Sequence, residues 1–311
     1  MKRVINKTPI PMAGLMLASA ATGNLVLSYG NIYRNLFGGV AAILLILLLA
    51  KLVMNPKALK EGFENPVVAS VTPTLSMGIM ILSTYLKPYV ASVAYGAWIL
   101  GLVLHCILIA CFTKKYLFNF NIKKVFPSYF VVYVGIVVGS VTAPAYNLAK
   151  LGEYIFWFGL VSYLALLPIV IYRVVKVKEI PEPASPTLII FAAPASLCLA
   201  GYLNTFAVKS IGMVGFLTTL SLTMLVVALV CMPRLLKLKF YPSYSAFTFP
   251  LVISAIAIKL TNGFLIKTGR GIPALNYIVK IEEFMAVAIV TYVLARYIVF
   301  LFAKDEQKAI A

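Results

Sequence analysis

Apolar runs of roughly twenty residues recur along the whole chain, and most of its charges sit in the short stretches between them. About twenty apolar residues at ~1.5 Å rise per residue cross the hydrocarbon core of a bilayer. Ten membrane helices are predicted on that basis, at about 10–28, 36–54, 66–86, 90–112, 126–145, 152–174, 186–205, 212–232, 244–264 and 281–302. They alternate in kind. The even ones are plainly greasy, as in Ala41-Ala42-Ile43-Leu44-Leu45-Ile46-Leu47-Leu48-Leu49. The odd ones carry small and hydroxylated residues: Ser70, Thr72, Thr74, Ser76 and Gly78 in the third, Gly139, Ser140 and Thr142 in the fifth, Ala195, Ser196 and Gly201 in the seventh, Ser245, Thr248 and Ser254 in the ninth. Small residues let helices approach closely. The odd helices are therefore placed inside and the even ones outside against lipid. The small residues either line a conduit or simply pack helix on helix.

The alternation belongs to a repeat. Prolines open the odd helices at Pro9 or Pro11, Pro66, Pro127, Pro186 and Pro242, with spacings from Pro9 of 57, 61, 59 and 56 residues. Seven or eight residues into four of them stands a helix breaker: Pro73, Gly135, Pro194 and Pro250. A proline there removes a backbone hydrogen bond and clashes with the preceding turn, which predicts a kink. The expected architecture is all-α, a single transmembrane domain over 1–311. Its five helical hairpins, at about 9–54, 66–112, 126–174, 186–232 and 242–302, form a pseudo-fivefold ring around a central pore. An exporter built from two inverted five-helix halves would repeat near 150 residues instead.

Composition agrees: 62% of the 311 residues are hydrophobic and 12% charged, against about 25% charged in soluble domains. The net charge of +18 does not indicate nucleic acid, because the basic residues follow the positive-inside pattern. Nineteen Lys and Arg fall on the side of both termini and eight on the other, which predicts cytoplasmic termini and a cell-membrane location. Anionic lipid headgroups suffice as their partner. The N-terminal run is read as an uncleaved first helix. Cys106, Cys111, Cys198 and Cys231 lie within apolar runs, and the single histidine, His105, has no ligand partners by spacing. Neither a metal site, a cofactor nor an enzymatic constellation is indicated.

Four motifs carry a resemblance to a known family: Asn65-Pro66-Val67, Phe126-Pro127-Ser128-Tyr129, Ala193-Pro194-Ala195 with Ala200-Gly201-Tyr202-Leu203, and Ala246-Phe247-Thr248-Phe249. In this order they make the chain resemble the tellurite-resistance/dicarboxylate transporter family. That family includes the yeast malate permease and sulfite pump and the plant guard-cell slow anion channel. The short termini look like a prokaryotic member. The resemblance implies a homotrimer with one pore per subunit, lined by the odd helices and closed by a helix-nine phenylalanine. By motif position the gate is Phe249. Phe247 is about 200° away around the helix and points elsewhere. Gly14 matches a small pore-facing position of the family's first helix, and Met16 stands where the family has a proline.

The candidate pore-lining or kink-forming residues are thus Gly14, Pro73, Gly135, Pro194 and Pro250, with Phe249 as gate. The middles of the odd helices carry no ionisable side chain, and Glu153, Glu282 and Glu283 are read as interfacial. Lys259, about 15 Å along the helix from Phe249, either lends an outer vestibule a positive potential or snorkels to the interface. The expected function is a gated anion channel or channel-like anion exporter for small inorganic or organic anions. The alternative is a secondary transporter of a malate-like dianion, sulfite or tellurite.

Overall fold

The computed structural model describes residues 2–303, and the regular elements among them are helical. Lys304 and Lys308, counted above with the basic C-terminal end, lie outside the described residues. The first hairpin comprises α1 (Lys2–Lys7), α2 (Met12–Leu25) and α3 (Asn31–Met54), followed by a short α4 (Lys57–Gly62). The second is α5 (Pro66–Val71), α6 (Thr74–Leu86) and α7 (Ala91–Phe112). The third is α8 (Tyr129–Tyr133), α9 (Val137–Thr142) and α10 (Ala149–Tyr172). The fourth is a 3-10 segment, Glu182–Ala192, then α11 (Ala193–Thr205) and α12 (Ile211–Leu235). The fifth is a 3-10 segment, Pro242–Phe247, then α13 (Thr248–Lys267) and α14 (Pro273–Phe302).

Nine helical stretches among the described residues are long and apolar enough to cross a membrane, against ten expected. The difference is the segment 126–145. It is divided into α8 and α9 around Gly135, and Pro144 then opens a 3-10 turn over Ala143–Tyr146.

The other breaks are sharper than kinks. Pro73 stands directly before α6, and Pro194 and Pro250 fall in the first turns of α11 and α13. A proline in the first turn costs little, because the N–H it lacks would have no intrahelical partner. Each helix therefore stops and restarts. Pro11 holds the same place before α2, so in the first repeat it aligns with the break and not with the opening. Hydroxyls take up carbonyls around the breaks. Ser76 Oγ donates to Pro73 O at 2.7 Å, Thr74 Oγ1 to Val71 O at 2.7 Å, Ser196 Oγ to Ala192 O at 2.6 Å and Thr248 Oγ1 to Ser245 O at 2.7 Å.

Burial alternates along the chain. In the most apolar windows of Met12–Tyr29, Pro66–Leu86, Glu182–Thr205 and Pro242–Lys267, 78, 72, 94 and 56% of residues are buried. In Asn31–Met54, Ala91–Leu117, Ala149–Val177, Ile211–Leu235 and Pro273–Phe302 the shares are 22, 28, 33, 28 and 33%. The second set turns Ile43, Ile46, Val103, Val230 and Val299 outward. Within the bundle α2 packs on α6, α6 on α9, α9 on α11, α11 on α13, and α13 on α2. Hydroxyl pairs join neighbouring repeats, with Ser70 Oγ 2.6 Å from Ser128 Oγ and Ser140 Oγ 3.0 Å from Thr205 Oγ1.

Candidate functional site

Two cavities are bounded by all five repeats. The wider, about 400 Å³, is walled by Pro11, Asn65–Val68, Phe126, Pro181, Pro183, Ala184 and Tyr241–Ser243. The smaller, about 40 Å³, is walled by Gly14, Val71, Thr74, Met77, Val131, Ile190, Ala193, Ser245, Ala246, Phe249 and Pro250. In each repeat the residues of the small cavity follow those of the wide one by a few positions, and the small cavity thus lies beside the breaks. Neither wall carries a charged side chain. The small cavity has room for about one water.

Phe249 is buried in the wall of the small cavity, together with Gly14 and Pro250. Phe247 is also fully buried, but its ring packs on Tyr244 with centroids 5.0 Å apart, and it does not border the cavity. Gly14 is required by close approach. A Cβ there would stand 3.1 Å from both Cβ and Oγ of Ser245, so α2 meets the fifth repeat at this point. Pro73, Gly135 and Pro194 do not border the cavity. They are buried at the breaks behind it. Of the many hydroxyls on the odd segments only Thr74 and Ser245 reach the cavity wall, and both bond backbone carbonyls. The broken backbone claims these hydroxyls, and the wall of the small cavity is mostly hydrocarbon.

His105, set aside in the sequence, braces two breaks at once. It is fully buried on α7. Its Nε2 lies 3.0 Å from Val132 O, in the last turn of α8, where carbonyls lack intrahelical partners. A carbonyl only accepts, so Nε2 carries the hydrogen. Nδ1 then accepts, and it lies 2.9 Å from Ser76 Oγ, whose one hydrogen is shared between Nδ1 and Pro73 O. Gly135 is small for the same reason. A Cβ would meet Val131 O at 2.2 Å, Met77 Sδ at 2.7 Å and His105 Cε1 at 3.1 Å. The sequence holds no signal for this role, because the partners are freed carbonyls on other helices.

Lys259 is not a free vestibule cation. Its Nζ lies 2.6 Å from Glu283 Oε1, 2.7 Å from Ser28 Oγ and 2.9 Å from Leu25 O. The pair is neutral as a unit, which removes the positive potential expected there. Glu283 also accepts from Tyr29 OH at 2.6 Å. Glu282 and Glu283, expected at the interface, are 3% and 6% exposed, and no cation is paired to Glu282 among the described residues. Glu153 does lie at the surface, paired with Lys150 at 2.8 Å.

Two proteins of Methanocaldococcus jannaschii resemble the chain, both described as uncharacterized transporters. MJ0762 is 26% identical over 236 residues, covering 67% of this chain and 68% of its own length. MJ0576 is 26% identical over 215 residues, covering 60% and 61% respectively. A family model described as voltage-dependent anion channel matches residues 9–298. That span takes in the breaks and both cavities, and the chain belongs to this family of membrane channels and transporters.

Proposed function

We propose that the protein is a gated anion channel, with the five hairpins arranged as a ring and Phe249 as the side chain that closes it. The single observation carrying this reading is the constriction itself. Five broken segments converge on a cavity of about 40 Å³ that has Phe249 in its wall. The closed circuit of contacts from α2 through α6, α9, α11 and α13 back to α2 supports the ring. The alternation of burial supports a pore on the odd side. The distribution of Lys and Arg supports cytoplasmic termini, and the wide cavity is read as a vestibule that opens on that side and leads to the constriction. A trimer with one pore per subunit follows from the family resemblance.

In this reading the constriction is too narrow for a hydrated ion until the Phe249 ring swings away. The walls offer an ion little beyond two hydroxyls and backbone dipoles, so it binds weakly and leaves readily, as throughput demands. Selectivity among anions then follows size and the cost of dehydration. The test is current across planar bilayers. Phe249→Ala should raise anion conductance at least tenfold over the wild type, and equal currents at equal protein amounts would refute the gate.

A second reading, a proton-linked carrier of a malate-like dianion or of sulfite, has one observation in its favour. Glu282 is a buried carboxyl in a membrane helix, with the Ser254 hydroxyl beside it and no cation paired to it among the described residues, the kind of costly group that carriers use. Saturable, proton-dependent uptake into liposomes that is lost in Glu282→Gln, with silent bilayers, would establish it.

A further inference from the structure

A conduit with neutral walls needs a source of positive charge if it is to prefer anions over cations. The lining side chains of the vestibule and constriction supply none. A cation does lie one side chain behind the vestibule wall. Arg173, which follows α10, is 1% exposed, and its Cζ is 5.7 Å from the centre of the Phe126 ring. Phe126 itself borders the vestibule.

No described carboxylate is hydrogen-bonded to this guanidinium, and Glu179 offsets its charge only from a distance. Nη1 donates to Lys178 O, and Nη2 donates to Lys123 O at 3.2 Å and Glu179 O at 3.4 Å. These are all backbone carbonyls. Positive φ angles at Lys178 and Glu179, 58° and 59°, shape the turn that presents two of them. Nε is buried without a partner. The acid at the site, Glu179, has its carboxylate on Lys123 Nζ at 3.0 Å, and no described carboxylate is in ion-pair distance of Arg173. Lys123, Lys176 and Lys178 around it are exposed, so water and salt screen them. Arg173 stays charged at any working pH. Its field acts through protein of low dielectric, and such walls focus a potential into the adjoining cleft.

We propose that Arg173 sets the charge selectivity of the conduit, drawing small anions into the vestibule and holding cations off. This inference rests on the channel reading above and adds to it the charge that the lining lacks. Its action is electrostatic and reaches the ion through the Phe126 ring. Lys123 assists by keeping the Glu179 carboxylate away.

The test is the reversal potential of Phe249→Ala channels in planar bilayers under a KCl gradient, which gives the ratio of chloride to potassium permeability. Added Arg173→Gln should lower that ratio about a hundredfold, because a unit charge about 10 Å away at an effective dielectric constant of about 20 acts about tenfold on each ion and with opposite sign on chloride and potassium. Arg173→Lys should largely restore it. A purely structural Arg173 would change the number of channels and leave the reversal potential in place, and that result overturns the proposal. If Arg173→Gln yields no folded protein, the exposed pair decides. Lys123→Gln frees Glu179 to approach Arg173 and should lower the ratio, and Lys123→Gln with Glu179→Gln should return it to the parental value. An unchanged ratio in Lys123→Gln would then overturn the proposal. Absence of current in the Phe249→Ala parent would instead refute the channel reading. The role of Arg173 would then be read from liposome uptake of radiolabelled chloride, where Arg173→Gln should raise the half-saturating concentration about tenfold, and no change overturns it.

Discussion

In the second hairpin, the inner strand of chain stops at Val71, restarts at Thr74 and is mostly buried, while its partner α7 runs unbroken for 22 residues and turns Val93, Leu100, Val103 and Ile107 outward. The difference comes from where backbone polar groups find partners. A helix facing lipid must satisfy its backbone within itself, since hydrocarbon offers no donors or acceptors. A segment surrounded by protein can give up part of its ladder, provided that hydroxyls and neighbouring helices take over. Ser76, Thr74 and His105 do so here. The breaks beside the small cavity are therefore confined to the interior, and the outer helices are what make them tolerable.

The comparison is tested most severely at Gly135. An Ala there places Cβ 2.2 Å from Val131 O, so Gly135→Ala should destabilise by about 3 kcal/mol, the upper range for overpacking. A fall in the melting temperature of the detergent-solubilised protein would register it. An unchanged melting curve would mean that the broken interior is loosely built. Next comes His105→Ala, which leaves Val132 O without its partner and should cost about 2 kcal/mol. His105→Gln should recover part of the loss by the same measurement, because its amide can donate to one carbonyl.

The outer face should behave in the opposite way. A Cβ added at Gly96 on α7 would meet nothing within 4 Å, so Gly96→Ala should stabilise by about 0.5–1 kcal/mol through helix propensity. A loss of stability would show that this face is covered. The smallest effect is expected outside the membrane, at Glu64. The Lys115 ammonium, 2.5 Å away, holds its carboxyl below the usual carboxylate range. What the pair contributes is present above the ordinary carboxylate value and is lost as pH falls through the lowered one. The site is fully solvated, so Glu64→Gln should leave the melting temperature at neutral pH unchanged.

The spacing of Pro66, Pro127, Pro186 and Pro242 and the breakers behind them made the repeat and its interruptions legible from sequence alone. Period and breaker chemistry are local properties. The severity of each interruption was less legible. The break at Gly135 leaves helices of five and six residues, because Met77 and His105 crowd it from other segments. Phe247 ends a 3-10 segment and Phe249 lies in the first turn of α13, so the phase of a continuous α-helix does not describe their separation. The pairing of Lys259 with Glu283, the carbonyl ties of His105 and the cage around Arg173 all join residues between 24 and 50 positions apart or more, or depend on backbone groups that carry no residue code. Hydroxyls were visible as a class, but whether each faced a cavity or its own backbone depended on which carbonyls the breaks released.

The contact that completes the circuit has a consequence for how the protein is made. Gly14 O receives Thr248 Oγ1 at 3.4 Å, and Leu25 O receives Lys259 Nζ at 2.9 Å, each across 234 residues of chain. At about 5–20 residues per second, the ribosome needs roughly 10–50 s to supply the second partner after the first has been synthesised. During that interval the flank of α2 meant for the fifth hairpin must shelter against lipid, the insertion machinery or a chaperone. The last hairpin is thus the clasp of the assembly, and the nascent protein is most vulnerable to membrane quality control just before it arrives.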